Sequence, residues 1–198
     1  MRIGIDAIHL SRSRKGASRF EHSLIKMLAK QSSEHSFVVF LDSEDESLSL
    51  PNCDSITYAS FQKHNLLTWE QYQLPLAARR HKVHCLLTLA DRLPMVYEGT
   101  IVTYLFEVPL YRHRLNRVTG SSTYQVASDM LSRLIFPWSL ARSSRIAVAS
   151  KATGLDLQTR YGVSKSQIEV VYSGVDDAFK PDNDPVQVAQ VRESYGAP

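Results

Sequence analysis

The sequence has little that would tie it to an oxidising compartment, a metal centre or a membrane span. Its two cysteines, Cys53 and Cys85, have no second Cys or His pattern at zinc spacing, so a structural metal is not expected. Two thiols in a chain without a recognisable signal peptide fit a reducing cytoplasm. No apolar run approaches the length of a membrane span, so any membrane contact is expected to be peripheral.

The net charge of the chain is also small. The 198 residues carry a formal net charge of +3, with a pI near 8.9. That is too mild for the dense basic face of a nucleic-acid-binding domain, but it is compatible with a phosphorylated ligand. A composition of 43% hydrophobic and 22% charged residues excludes wholesale disorder. The length predicts one domain, or one domain with a tail.

Apolar runs alternate with helical patterns along the whole chain, and this alternation predicts an α/β fold. The runs are apolar throughout, which is typical of parallel strands that are covered on both faces. We therefore predict a Rossmann-like parallel β-sheet with helices on both faces, whose ligands lie beyond the carboxyl ends of the strands. The predicted strands are 3–6, 36–41, 55–59, 83–89, 100–105, 145–149 and 168–172.

The opening of the chain is the first candidate site. A short strand ends at Asp6, a polar loop runs from His9 to Lys15, and a helical pattern begins at Gly16. Free backbone N–H groups and the positive end of the helix dipole make such a helix start an anion site. We predict that Lys15, Gly16 and Arg19 contact phosphate groups. Our hypothesis is that these phosphates belong to a nucleotide-linked sugar. The alternatives are that Gly16 only relieves backbone strain at the helix start and that Arg19 forms an ion pair on the surface.

Polar residues that follow later strands are the other candidates. They lie where a parallel sheet binds its ligands, although a loop of basic residues is often only a solvated face. An acidic run at 42–47 is interpreted as solvated surface, and no metal site is predicted. The candidate ligand-binding residues here are Asp91, Arg92, Arg112, His113 and Arg114.

A long helix is predicted from about Ser122 to Arg142, with Pro137 inside it. Phe136 and Trp138 flank this proline and have arginines nearby, which leaves two interpretations open. The aromatics could contact a membrane surface or a lipid-linked acceptor. They could also pack on the sheet, which we favour because large aromatics are usually buried.

Four motifs together resemble the N-terminal half of a family 4 glycosyltransferase of the GT-B fold. The matching segments are Arg2–Ala7 with Gly16–Phe20, Trp69–Gln71 with Leu74–Pro75, Ala149–Thr153, and Tyr161–Val163 with Ile168–Asp176 and Phe179–Pro181. The last of these motifs is the most specific, because its apolar strand, its G-V-D and its F-x-P stand at fixed spacing.

The resemblance implies transfer of a sugar, with retention, from a nucleotide-diphosphate sugar to a saccharide or lipid-linked acceptor. In this family the N-terminal half shapes the acceptor side and lends its first loop to the donor phosphates. The resemblance therefore implies that the acceptor is bound by Asp91, Arg92, Arg112, His113 and Arg114. The C-terminal half holds the nucleotide. No metal or other cofactor is implied, because cationic side chains and helix N-termini neutralise the diphosphate.

The sequence departs from the family pattern in two respects. The family's second domain would begin where this chain stops, so we expect residues 1–181 to form the acceptor-side domain and 182–198 a short helix or linker. Such a half is expected not to turn over alone, and its expected partner is a C-terminal GT-B domain. The family's His-Asp pair after the strand at 100–105 is also absent, and Glu107 could take the place of its carboxylate, with a solvated loop position as the alternative.

Two functions from different classes remain open. The first is the sugar-transferring half of an enzyme. The second is a non-catalytic interaction or regulatory module that keeps the fold, which the missing His-Asp pair leaves open. A dinucleotide-binding dehydrogenase is rejected, because no G-x-G-x-x-G follows the first strand.

Overall fold

A computed structural model of the 198-residue chain describes residues 1–10, 16–31, 34–42, 49–62, 65–109, 123–175 and 184–196, and of 123–129 it describes the backbone. These residues form one parallel sheet of seven strands, in the order β3-β2-β1-β4-β5-β6-β7. The α/β prediction is confirmed. The strands are β1 (Arg2–Asp6), β2 (Ser36–Leu41), β3 (Ile56–Ser60), β4 (Cys85–Thr88), β5 (Thr100–Leu105), β6 (Arg145–Val148) and β7 (Ile168–Val170).

The strand order reverses between β1 and β4, at the centre of the sheet. From β1 the chain steps to β2 and β3 on one side, and it then crosses to β4 and continues to β7 on the other. Ile5 of β1 is in register with Val39 of β2 and with Leu87 of β4. All seven strands are parallel, so their carboxyl ends meet at one edge, and the point where the order reverses is where folds of this kind have their ligand-binding crevice.

Helices cover both faces of the sheet, as predicted. The helices are α1 (Gly16–Lys30), α2 (Leu66–Thr68), α3 (Leu74–Arg80), α4 (Thr123–Arg142), α5 (Lys151–Tyr161) and α6 (Pro185–Tyr195). Ile25 of α1 packs with Val39, whereas Ala77 of α3 packs with Val38. Successive residues of a strand point to opposite faces, so α1 and α3 lie on opposite sides. Helices α4 and α5 share a core with Leu105, on the same side as α3.

The helical segment 66–80 is held together through its proline by a π-helical turn. Between α2 and α3, residues Trp69–Gln73 form this wider turn, and the N–H of Leu74 donates to the carbonyl of Trp69. Pro75 follows at the start of α3. Proline has no N–H to continue an α-helical ladder, so a local change of helix type satisfies the preceding carbonyls. The predicted kink or restart at Pro75 therefore takes the form of a π turn.

Several predicted helix ends are confirmed. Ser150 caps α5 by accepting a hydrogen bond from the backbone N–H of Thr153, at 3.1 Å. The same helix ends at Gly162, whose φ of 66° is a left-handed conformation that glycine adopts at little cost. Within the described ranges, no helix is both long and apolar enough to cross a bilayer.

Candidate functional site

The candidate site is the crevice between the carboxyl ends of β1 and β4. Asp6 ends β1 and Thr88 ends β4, and the loop after β4 carries Asp91 and Arg92. Asp6, Thr88 and Arg92 are buried, whereas Asp91 is half-buried. Burying a polar side chain costs free energy unless the side chain forms hydrogen bonds. The hydrogen-bond partners of these residues therefore show how this edge is stabilised.

The consecutive residues Trp69, Glu70 and Gln71 hold the two loops that border this crevice. The indole Nε1–H of Trp69 donates to Oδ1 of Asp6 at 2.9 Å, and both side chains are buried. Gln71 donates to the carbonyl of Leu93 at 3.1 Å, and its Oε1 accepts from the backbone N–H of Met95 at 3.0 Å. All three residues belong to the π turn, in which successive side chains diverge by a smaller angle than in an α-helix.

Glu70 completes this support through a buried ion pair. Arg92 donates from Nε to one carboxylate oxygen at 2.8 Å and from Nη2 to the other at 3.1 Å. Its Nη1 also donates to Ser132 on α4, at 3.3 Å. Burial raises the pKa of Glu70 to about 7, although the hydrogen bond and the charge of Arg92 oppose the rise and the charges of Asp6 and Asp91 add to it. The guanidinium thus ties the loop after β4 to two helices.

This arrangement corrects one expectation for Arg92. The sequence predicted that Arg92 contacts an acceptor, which requires an accessible guanidinium. In the structure the residue is 5% exposed and its guanidinium bonds to Glu70 and Ser132. The side chain therefore has an internal, positioning role in the arrangement that the structure shows. Asp91 keeps a half-buried position beside it.

Gly16 lies exposed at the first position of α1, as predicted, and Arg19 is exposed in the same turn. Among the described residues, no atom lies within 4 Å of the position that a Cβ on Gly16 would take, and its φ is outside the left-handed region. The described part of the fold therefore does not require a glycine at this position. The exposed N-terminus of a long helix is a position at which an anion can approach the backbone N–H groups.

Three aromatic rings fix the start of α1 against the end of β5. Phe20 stacks on Tyr104 with ring centroids 4.6 Å apart, and both rings contact Phe106 edge to face. The hydroxyl of Tyr104 donates to the carbonyl of Val171 at 3.0 Å and lies 3.3 Å from the hydroxyl of Ser173. The helix start, the end of β5 and the segment that leaves β7 thus form one connected unit at the carboxyl edge.

Glu21, one turn after Gly16, is the least expected residue of this edge. It is fully buried, and among the described residues neither carboxylate oxygen has a partner in good hydrogen-bond geometry. Burial raises its pKa well above the usual 4.5, the nearby charges of Asp6 and Asp42 raise it further, and the backbone amides of Leu10 and His9 lower it. The folded protein therefore favours the protonated form of this carboxyl group more than the unfolded chain does.

The acidic run after β2 is not uniformly solvated. Asp42 is fully buried, which corrects the interpretation of this residue as exposed surface. The other acids of that run, in 43–48, lie outside the described residues. Among the described side chains, no group of three or more His, Cys, Asp or Glu residues has an arrangement that could hold a metal ion.

The remaining predicted site residues divide into two groups. Glu107 lies half-buried, two residues beyond the end of β5 at the same edge of the sheet. Four others, Lys15, Arg112, His113 and Arg114, lie outside the described residues. Of the described candidates, Gly16, Arg19, Asp91, Arg92 and Glu107 all belong to the carboxyl edge of the sheet or to the helix that begins there.

Sequence reasoning missed the roles of Asp6, Glu21 and Trp69. The sequence did contain an indication for Asp6 and Trp69. An Asp at the end of a strand and a Trp inside a motif are both positions where a hydrogen-bond partner can be expected. No signal identified Glu21, because a Glu within the second turn of an amphipathic helix is usually solvated.

Solved structures with similar folds are glycosyltransferases. One is HepE of Anabaena in complex with UDP-glucose, with a TM-score of 0.57 and 14% identity over 99% of this chain and 50% of the other. A second structure of HepE, in complex with UDP, has the same TM-score and identity. The glycosyltransferase from Rickettsia africae ESF-5 has a TM-score of 0.54 and 13% identity, and is also covered over 50% of its length. The chain thus spans half the length of these proteins.

The sequence itself carries a family signature. A search of curated proteins gives no match. The family model described as Glycosyltransferase Family 4, however, matches residues 14–179, which is most of the chain and includes the π turn, the buried ion pair and the Gly16 helix start. The fold agrees with half of a GT-B fold. On this match the chain belongs to glycosyltransferase family 4.

Proposed function

We propose that the chain is the N-terminal, acceptor-side half of an enzyme that transfers a sugar from a nucleotide-diphosphate sugar to a saccharide or lipid-linked acceptor, with retention. The observation that carries the proposal is the exposed helix start at Gly16, which follows the central strand β1 at the point where the strand order reverses. Both features are places where parallel α/β folds bind phosphorylated ligands. The proposed setting is cytoplasmic.

The site residues take the following roles in this proposal. Lys15, Gly16 and Arg19 contact the donor phosphates, with the backbone N–H groups of the first turn as the main ligands. Asp91, Arg112, His113 and Arg114 bind the acceptor, while Arg92 positions the loop that carries Asp91. Glu107 acts near the reacting sugar in place of the family's His-Asp carboxylate. The nucleotide is held by a second GT-B domain, without which the chain does not turn over.

Support for a second domain comes from the lengths of the solved relatives, half of which this chain covers. UDP-glucose is the first donor to test, because HepE was solved with it. The assay compares transfer by this chain alone with transfer by the chain joined to a C-terminal GT-B domain, and NMR of the product reads the anomeric configuration. Transfer by the chain alone would refute the need for a partner domain, and an inverted product would refute retention.

One observation favours the alternative of a non-catalytic module. The family's His-Asp pair is absent from the segment that follows β5, where Leu105, Phe106 and Glu107 stand instead. If the two-domain protein binds nucleotide-sugars but transfers no sugar to any acceptor, the module is the correct function. If Glu107→Gln in the two-domain protein abolishes transfer while donor affinity is retained, the enzyme is correct.

A further inference from the structure

Several large apolar side chains are exposed on the side of the sheet covered by α3 and α4. Tyr72 and Leu76 are one helical turn apart on the segment 66–80, and Leu134 and Trp138 are one turn apart on α4. Tyr72 is 69% exposed and Leu134 is 78% exposed. Met95 and Val96, in the loop after β4, are each more than half exposed. We call these six side chains the outer patch.

Hydrogen bonds join the three segments that carry the outer patch. The loop 93–99 lies between the two helical segments, because Arg79 donates to the carbonyl of Val96 at 2.7 Å and Arg142 donates to the carbonyls of Tyr97 and Gly99 at 2.8 and 2.9 Å. Arg79 follows Leu76 by three residues, and Arg142 follows Trp138 by four. Both apolar rows therefore run along the loop that carries Met95 and Val96.

The patch has cations at its border. Arg79, Arg80 and Arg142 form no ion pair with any residue of the described chain, and the partners of Arg79 and Arg142 are neutral carbonyls. Glu98 is the exposed acid of this region among the described side chains. The surface therefore combines exposed apolar tips, a Trp, a Tyr and uncompensated guanidinium groups.

We propose that the outer patch docks peripherally on an anionic lipid bilayer. Apolar side chains enter the acyl boundary, aromatic rings with polar tips settle at the headgroup level, and basic residues attract anionic lipid. A second copy of the chain fits less well. A two-fold contact through this patch would bring Arg79, Arg80 and Arg142 against the same cations of the partner. A contiguous exposed apolar surface of this kind needs a partner in a soluble domain.

This surface differs from the one suggested by sequence. Phe136, for which the sequence left membrane contact and packing on the sheet open and favoured packing, is 1% exposed and packs against Tyr161, so the favoured interpretation is correct for this residue. Arg142 is held by carbonyls. Trp138 keeps an exposed position. The docking proposal is independent of sugar transfer, because vesicle binding requires neither donor nor acceptor.

The test measures co-sedimentation with vesicles of phosphatidylcholine alone and of phosphatidylcholine mixed with phosphatidylglycerol. The protein is expected to bind the anionic vesicles preferentially. Leu134→Ser is expected to reduce binding several-fold, whereas the matched variant Leu155→Ser, which alters an exposed leucine on α5, leaves binding unchanged. The double variant R79Q/R80Q should lower the partition coefficient by at least about tenfold. Its charge-matched control, K26Q/K30Q on α1, should not.

Three outcomes would overturn the proposal. The first is absence of binding to anionic vesicles. The second is an equal loss in R79Q/R80Q and K26Q/K30Q, which would mean that only the overall positive charge matters. The third is concentration-dependent self-association in light scattering that Leu134→Ser abolishes, which would assign the patch to a second copy. Thermal melts of each variant verify folding, and the substituted residues are exposed, so normal melts are expected.

Discussion

The indole N–H of Trp69 donates a hydrogen bond to Asp6 at 2.9 Å, across 63 residues of sequence, and both side chains are buried. Asp6 ends the central strand β1, and Trp69 begins the π turn. The next residue, Glu70, pairs with Arg92 after β4. One helical turn thus fixes the carboxyl ends of the two strands between which the sheet reverses its order. The geometry of the candidate site depends on this turn.

Replacing Trp69 tests how much this hydrogen bond stabilises the fold. Trp69→Phe keeps an aromatic ring but removes the donor, and leaves the buried Asp6 carboxylate with one partner fewer. We expect a loss of about 1.5–3 kcal/mol in the free energy of unfolding, as for hydrogen bonds to charged groups. Chemical denaturation followed by circular dichroism measures it. Trp138→Phe, at a partly exposed position, should change stability by less than about 0.5 kcal/mol. Equal effects of the two substitutions would contradict this account.

The Glu70–Arg92 pair should behave as a buried ion pair in which each partner depends on the other. Arg92→Met leaves a buried carboxylate without its cation and is expected to cost about 3–5 kcal/mol. In a double-mutant cycle, Glu70→Met combined with Arg92→Met should be clearly less destabilising than the sum of the single variants.

The exposed pair of Asp156 and Arg160 on α5 provides a control for that cycle. Its Nε and Oδ1 atoms are 3.0 Å apart, compared with 2.8 Å between Nε and Oε2 in the buried pair, but both side chains contact solvent. We expect a coupling energy of at most about 0.5 kcal/mol for this pair. If the coupling energies of the two pairs are the same, Glu70 and Arg92 do not have the positioning role inferred from their burial.

Glu21 should make the stability of the protein fall as pH rises. Its pKa is raised in the folded state and is near 4.5 in the unfolded state, so between these values the folded state binds more protons. The free energy of unfolding from this group is then highest below pH 4.5 and decreases as pH rises toward the folded pKa. Each unit by which the pKa is raised corresponds to about 1.4 kcal/mol.

Glu21→Gln removes this dependence while it keeps the shape of the side chain. The free energy of unfolding of the variant is expected to match that of the wild-type protein near pH 4. As pH rises to neutrality, the variant should become more stable than the wild type, over a pH range that the raised pKa determines. Thermal melts over a pH series measure the difference. Glu34→Gln, at an exposed position, serves as control and should show no such trend. A difference between Glu21→Gln and wild type that is constant with pH would contradict a protonated Glu21.

Much of the fold follows from the sequence because parallel strands and capped helices leave local signals. The apolar run at 36–41 and the cap at Ser150 depend on residues close together in the chain. The supports of the site do not. Trp69 meets Asp6, and Arg92 meets Glu70 and Ser132, only once the sheet is assembled. For this reason the sequence predicted Arg92 as a ligand contact and gave no indication that Glu21 is buried.

The exposed start of α1 is the element on which the proposed donor site depends. No atom of the described residues lies within 4 Å of a Cβ at Gly16, so Gly16→Val should fold with an unchanged melting temperature. A side chain at this position would still obstruct the approach of a phosphate to the helix N-terminus. Ala189, an exposed residue of α6, offers a control substitution to valine on a different helix.

The most direct test of the central claim is calorimetric titration of a nucleotide-sugar donor into the two-domain protein, in which the wild type is compared with the Gly16→Val variant. We predict that Gly16→Val weakens donor binding by at least about tenfold, while the donor affinity of Ala189→Val and the melting temperatures of both variants stay as in the wild type. Unchanged donor affinity in a folded Gly16→Val protein would contradict the assignment of the donor phosphates to this helix start.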